Sequence, residues 1–259
     1  MLCRYSQKVI MMNRREYRAS SHLLNRLLPH HCPICDDVRS SYGLCEACWT
    51  DLAIIASPLC EACGRPLPAH FLSLDDKHKV LCGTCLKQRP ILRRQRSVLR
   101  YDETSKALIL PFKHGSRLDY TPLLARMMLS AFSSLMAECD FVLPVPLHFT
   151  RRLYRRYNQS AELARHLCKM SHCQDQLDLS LCYRRKRTRS LAKHNKTQRQ
   201  MILKQAFALS KHGKTRIQGR SILVIDDVMT TGQTLHEIAT CLKQGGARHV
   251  DSLTLARIL

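Results

Sequence analysis

Eight cysteines fall into four Cys-x-x-Cys pairs within 54 residues: Cys32 and Cys35, Cys45 and Cys48, Cys60 and Cys63, Cys82 and Cys85. Each pair brings two thiolates within reach of one ion, and two pairs complete the tetrahedral sulfur set that zinc prefers. Eight ligands make two zinc sites of four cysteines each. Sequential pairing, one ribbon over residues 32–48 and one over 60–85, is the simplest arrangement, and an interleaved one fits the spacing too. Gly64 and Gly83 are expected to supply permissive backbone for the turns. A cysteine-ligated iron–sulfur cluster is the alternative metal reading. Beyond Trp49, Ile54, Ile55 and Phe71 the segment has few large apolar residues, so metal binding and folding are expected to be one event. The other cysteines, at 3, 139, 168, 173, 182 and 241, lack paired spacing and read as ordinary thiols.

Charge divides the chain. The formal balance is +22 over 259 residues, which points to a polyanionic partner: nucleic acid, a phosphorylated ligand or an anionic surface. Residues 32–85 carry seven acidic and four basic side chains, whereas residues 179–225 carry thirteen basic ones and no acid. A spanning helix needs roughly 20 apolar residues, and no such run exists; the most apolar region offers only residues 127–137 free of charge. Without a span or signal peptide the protein is expected in the cytoplasm, where thiols stay reduced and cysteines serve metals before disulfides.

Three units follow: a basic segment over residues 1–31, with Leu23, Leu24, Leu27 and Leu28 at helical spacing; the cysteine module over 32–89; and a larger domain over 90–259. Residues 87–100, with six cations around Pro90, read as a linker or the first exposed segment of that domain.

Near the C-terminus the chain reads Ser221-Ile-Leu-Val-Ile-Asp-Asp-Val-Met-Thr-Thr-Gly-Gln-Thr234. Four apolar residues from Ile222 to Ile225 predict a buried parallel strand, Thr230 to Thr234 opens a helix through about Lys243, Gly245-Gly246 ends it, and a strand follows over 249–258. Two carboxylates at a strand end and a Thr/Gly bend at a helix N-terminus suit a sugar phosphate: amides cradle the phosphate, carboxylates accept from hydroxyls. The stretch resembles the 5-phosphoribosyl 1-diphosphate (PRPP) motif of type I phosphoribosyltransferases. That resemblance implies Asp226 and Asp227 on the ribose hydroxyls, with Thr230, Thr231, Gly232, Gln233 and Thr234 around the 5-phosphate.

Upstream, Phe141-Val-Leu-Pro-Val-Pro-Leu147 predicts a strand, followed by Arg151-Arg-Leu-Tyr-Arg-Arg-Tyr-Asn-Gln159 and an amphipathic helix over residues 160–170. The four cysteine pairs, the Pro-Val-Pro-Leu segment leading to Arg-x-x-Asn-Gln, and the late PRPP motif together resemble the ComF family over about residues 20–259. The resemblance implies an α/β fold: a parallel-sheet type I phosphoribosyltransferase-like domain preceded by a small cysteine-rich double zinc ribbon. It also implies a competence role in natural transformation, handling incoming single-stranded DNA at the inner membrane face through partners such as a helicase or another DNA-uptake component.

Nucleic-acid or diphosphate contacts are expected from Arg151, Arg155, Asn158, Gln159, Arg184, Arg185 and Arg187. Asn158 and Gln159 serve equally as helix N-cap groups. Tyr154, Tyr157 and Tyr183, set among arginines, offer stacking surfaces for unpaired bases. Lys113 has two readings, a place on the cleft wall or the favoured one, solvated surface, and His114 reads as solvated surface. The family's usual Arg-Gly-Phe-Asn-Gln here has Arg156 at the glycine position, where a side chain keeps backbone away from a ligand. Two functions follow: a DNA-processing protein with a retained PRPP-type pocket, or an active phosphoribosyltransferase using Mg²⁺ and PRPP on an unknown acceptor. A scaffold docking a helicase through its ribbons is a third.

Overall fold

The computed structural model describes residues 30–73, 80–114, 117–147, 157–185, 201 and 205–259. The expected helix around Leu23, together with Arg151, Arg155, Tyr154, Arg187 and the cationic run after Arg185, lies outside them.

Four strands, β3 (Gln95–Arg100), β4 (Phe141–Pro144), β7 (Ser221–Met229) and β8 (His249–Arg257), form one sheet in the order β3-β8-β7-β4. All pairings are parallel: Leu99 lies opposite Ala256, Ile225 opposite Leu253, and Phe141 opposite Ile222. Alternation along β7 explains the two cores. Leu223 and Ile225 join one apolar cluster, with helices α3 (Glu103–His114), α4 (Thr121–Ala137) and α5 (Gln159–Met170). Ile222 and Val224 join a second, with helix α7 (Gln233–Gln244) and the antiparallel pair β5 (Cys182–Arg184) and β6 (Phe207–Leu209). A short helix, α6 (Lys211–Arg216), leads from β6 toward β7. A strand buried on both faces reads as a continuous apolar run because period-2 alternation then separates two cores instead of core from solvent.

The cysteine module sits against the sheet. Its first ribbon carries the short antiparallel pair β1 (His30–His31) and β2 (Val38–Arg39). Between its two ribbons, residues 53–55 run antiparallel to the outer edge of β3: Ile55 N donates to Val98 O at 2.8 Å, and Arg100 N donates to Ala53 O at 2.9 Å. This cover satisfies an edge that would otherwise pair with other chains. The far edge is met similarly, by Asp178 N on Val142 O at 3.1 Å. Trp49 and Leu52 join the main core, and Gln95 N donates to Ala62 O at 2.8 Å.

The segment 87–100 is therefore no linker. Val98 and Leu99 are buried in β3, and three of the segment's five arginines pair with distant acids. Arg93 and Arg94 bind both Asp251 and Glu138, while Arg96 pairs with Glu61 at 3.0 Å.

Candidate functional site

The cysteine pairs close sequentially. Cys32, Cys35, Cys45 and Cys48 form one group and Cys60, Cys63, Cys82 and Cys85 the other, with sulfurs in each group within 4.8 Å of one another. The two ribbons repeat one hydrogen-bond scheme. Cys32 N donates to Asp37 O and Cys60 N to Arg65 O, both at 2.8 Å; Asp36 N donates to Cys32 O and Gly64 N to Cys60 O, both at 2.9 Å. Asp36 and Gly64 both take the left-handed backbone that this knuckle needs, with φ of 64° each. At Gly64 a Cβ would lie 2.1 Å from the backbone oxygen of Gln95, so only glycine fits.

The second pair of each ribbon is built differently. Cys45 and Cys82 cap short helices, α1 (Glu46–Thr50) and α2 (Gly83–Lys87), that present the remaining thiol of the pair one turn later. Gly83 thus sits in regular helix with nothing within 4 Å of a Cβ position, contrary to the expectation that it relaxes a turn.

Zinc fits both sets. A tetrahedral ion with Zn–S near 2.3 Å places sulfurs about 3.8 Å apart, and Cys35–Cys45 and Cys63–Cys82 are 3.6 and 3.7 Å apart. Backbone N–H groups of Cys45 and Cys82 reach Cys32 Sγ and Cys60 Sγ at 3.4 and 3.3 Å. Burial raises these two thiols, but backbone N–H donors outweigh it and leave Cys32 at about 6 and Cys60 at about 7, prepared as thiolates.

The second candidate site lies along β7. The strand continues past Ile225 to Met229, so Asp226 and Asp227 lie within its carboxyl-terminal part and not at its tip. Gly232, at φ 74°, then turns the chain into α7, whose first-turn amides have no partners within the helix. Thr230 and Thr231 are exposed; Gly232, Gln233 and Thr234 are half-buried.

Asp226 Oδ1 accepts from Ser160 Oγ at 2.9 Å and from Asp227 N at 3.0 Å. Burial, and then the adjacent Asp227 charge, push its carboxyl up to about 7. Asp227 Oδ1 accepts from Val228 N at 2.7 Å, and its Oδ2 pairs with Lys113 Nζ at 3.0 Å.

Lys113, for which the sequence offers both a cleft wall and the favoured solvated surface, here meets the carboxylates. The Tyr-Asn-Gln-Ser run that opens α5 explains its position. Tyr157 Oη donates to Phe112 O at 3.0 Å and Gln159 Nε2 to Lys113 O at 2.7 Å, fixing the end of α3. Asn158 Nδ2 donates to Val145 O at 3.1 Å, while its Oδ1 caps α5 on Ser160 N, also at 3.1 Å. Asn158 and Gln159, expected among the ligand contacts, are thus engaged within the fold, with Gln159 only 3% exposed. They hold together the elements that carry Lys113, Ser160 and Asp226.

Arg184, likewise expected at the surface, is buried on β5 with its guanidinium 5.4 Å from the centre of the Phe207 ring. Arg185 and Tyr183 are exposed.

Comparison with known proteins agrees with this division. A double zinc ribbon domain matches residues 23–86 and a phosphoribosyl transferase domain matches residues 160–257. Competence protein ComFC of Bacillus subtilis is 31% identical over 83% of this chain and 84% of its own. DNA utilization protein YhgH of Escherichia coli K12 is 31% identical over 84% of this chain and 98% of its own. Competence protein F of Haemophilus influenzae is 30% identical, over 83% and 90% respectively. Among solved structures, the allosteric regulatory enzyme of purine biosynthesis shares 17% identity over 53% of this chain and 25% of its own with a TM-score of 0.36, a likeness too distant to carry an argument. Two four-cysteine groups on a double ribbon, a parallel sheet bearing the phosphoribosyl transferase match, and this identity across most of their lengths place the chain in the ComF family, beside ComFC and YhgH.

Proposed function

We propose that this protein acts on incoming single-stranded DNA during DNA uptake, and that the bend from Asp226 to Thr234 holds a ribose 5-phosphate group, from PRPP or from a strand end. The observation that carries this reading is the juxtaposition of two adjacent carboxylates with a left-handed Gly232 bend opening α7, in a chain related to competence and DNA utilization proteins. Carboxylates accept from the ribose 2- and 3-hydroxyls, and the first-turn amides of α7 meet the phosphate. Because Lys113 already neutralises Asp227, an anionic ligand approaches a pair carrying one net negative charge at most. The cations of the sequence from Arg185 onward supply backbone phosphate contacts, aided by partners in the uptake machinery such as a helicase.

Calorimetry tests the pocket and a salt titration tests the DNA surface. PRPP should bind the zinc-loaded protein and lose affinity in Asp227→Ala. Single-stranded DNA affinity should fall about a thousandfold between roughly 50 and 200 mM salt if six or more phosphates are neutralised. Absence of PRPP binding removes the pocket, and salt-independent DNA binding removes the electrostatic surface.

One feature supports phosphoribosyl transfer as the second reading. A carboxyl held at about 7, as Asp226 is, suits proton exchange with an acceptor near neutral pH. Bound Mg²⁺ would neutralise the departing diphosphate. Diphosphate release from PRPP in the presence of an acceptor, abolished in Asp226→Ala, is the expected sign.

A further inference from the structure

The second zinc ribbon rests on two arginines from neighbouring strands. Arg96 of β3 donates through Nη1 to Glu61 O at 2.9 Å and Cys60 O at 3.4 Å, and Arg257 of β8 donates through Nη1 to Cys63 O. Guanidinium groups thus hold both ends of the knuckle that runs from Cys60 to Cys63. The two cations differ in what balances them. Arg96 Nη2 pairs with Glu61 Oε2 at 3.0 Å, so its charge is met inside the same knuckle. Arg257 is 7% exposed, and among the described residues it pairs with no carboxylate and its buried Nε has no hydrogen-bond partner. A buried cation without a counter-charge is strongly destabilising.

The counter-charge is at hand. Zinc brings two positive charges to four thiolates, which leaves such a group with two net negative charges. The carbonyl oxygen and the sulfur of one cysteine lie within about 5 Å by covalent geometry, so a guanidinium bonded to Cys63 O stands within about 8 Å of Cys63 Sγ. Little water intervenes to screen the attraction in that interior. The first ribbon is balanced differently. Its knuckle is followed by Asp36 and Asp37, where the second is followed by Gly64 and Arg65. A donor that reaches it from the sheet domain is uncharged, Tyr120 Oη on Pro33 O at 3.5 Å. Cys35 there is exposed, whereas every cysteine of the second group is at least half-buried.

We propose that Arg257 is a positioning residue of the second zinc site, its guanidinium serving as the counter-charge of the zinc-bound thiolates of Cys60, Cys63, Cys82 and Cys85. The cation strengthens metal binding at that group, and the bound metal in turn balances a charge that the fold has buried. Arg257 also fastens the ribbon to a particular place on the sheet. It lies opposite Met229 in the β7–β8 ladder, and the next residue closes that ladder through Ile258 N on Met229 O at 3.0 Å. Thr230 follows Met229 directly, so the second zinc group is tied to the strand end at which the bend into α7 begins.

Titrating zinc-loaded full-length protein with a chelating dye reads zinc release, and alkylation with N-ethylmaleimide followed by peptide mapping identifies the cysteines that have opened. Arg257→Gln keeps a donor for Cys63 O and removes the charge, whereas Arg257→Lys keeps the charge. In Arg257→Gln the second group should give up zinc about 10–100-fold more readily, the range for residues that support metal ligands. Arg257→Lys should stay close to wild type. The first group should be unchanged in both variants, which also shows that the chain remains folded. The proposal is overturned if Arg257→Gln holds its zinc as wild type does, if Arg257→Lys loses it as readily as Arg257→Gln, or if both groups loosen together. Wild type supplies a test that needs no variant. As chelator rises, the first group should be alkylated before the second, and the reverse order would also overturn the proposal.

Discussion

Lys113 Nζ stands 3.0 Å from Asp227 Oδ2, joining the last turn of α3 to β7 across 114 positions of sequence. The pair is mostly shielded, with side-chain exposures of 27% and 11%. Lys113→Met keeps the aliphatic stem and removes the charge, leaving two neighbouring carboxylates without that cation. The expected loss is about 1–3 kcal/mol, between exposed and fully buried ion pairs. Urea unfolding of zinc-loaded protein at pH 8 measures it. A midpoint equal to wild type would mean the pair is fully screened by water. PRPP binding should weaken as well, because an anionic ligand then meets two uncompensated carboxylates.

Asp226 makes the opposite contribution. Its folded-state carboxyl lies at about 7, above the ordinary value of 3.8, so the folded protein holds a proton that the unfolded chain has released. Stability from this group is present below pH 4 and falls as pH rises toward 7. Asp226→Asn keeps an oxygen for Ser160 and abolishes the charge. It should stabilise the protein at pH 8.5 by about 1–3 kcal/mol and by about half as much at pH 5.5, where the unfolded chain has already released the proton that the folded protein keeps. Equal shifts at both pH values would show that Asp226 titrates normally.

What was legible in the sequence was local. Cysteine spacing fixed the ligand set, and the strand, bend and helix around Asp226 lie within one stretch whose apolar run, Thr/Gly turn and helical period belong to neighbours in the chain. What was illegible depends on long-range partners. Residues 87–100 look like a cationic linker because the acids that neutralise Arg93 and Arg94, Glu138 and Asp251, lie 44 to 158 positions away. Lys113 looks like a surface lysine for the same reason. Arg184 shares its charge with its exposed neighbours, and only strand alternation, which turns Tyr183 and Arg185 outward, places it inside.

Gly64 and Gly83 follow cysteines in equivalent-looking contexts and should respond oppositely to alanine. Gly64→Ala forces a Cβ against the Gln95 carbonyl in a left-handed backbone, which should cost about 1–3 kcal/mol or more. Gly83→Ala adds a methyl in open space at the start of α2 and should be neutral or stabilise by up to about 1 kcal/mol. Thermal melts of the two variants decide the matter. Equal destabilisation would mean both knuckles rely on glycine flexibility.

The edge of β3 ties metal to sheet. Residues 53–55 bridge the two ribbons, so their hydrogen bonds with Val98 and Arg100 are expected to depend on both ends being anchored by closed thiolate clusters. Structural zinc sites of this kind contribute folding free energy directly, so chelation should release both ends at once. Hydrogen exchange before and after a chelator reads the result. The Ile55 and Arg100 amides should lose protection first, while those of β8, paired on both sides by β3 and β7, should stay protected. The exposed β3 edge should then promote concentration-dependent association, reversed by adding zinc. Retention of Ile55 and Arg100 protection after complete metal removal would show that the cover on β3 is held by the sheet and Trp49 packing alone.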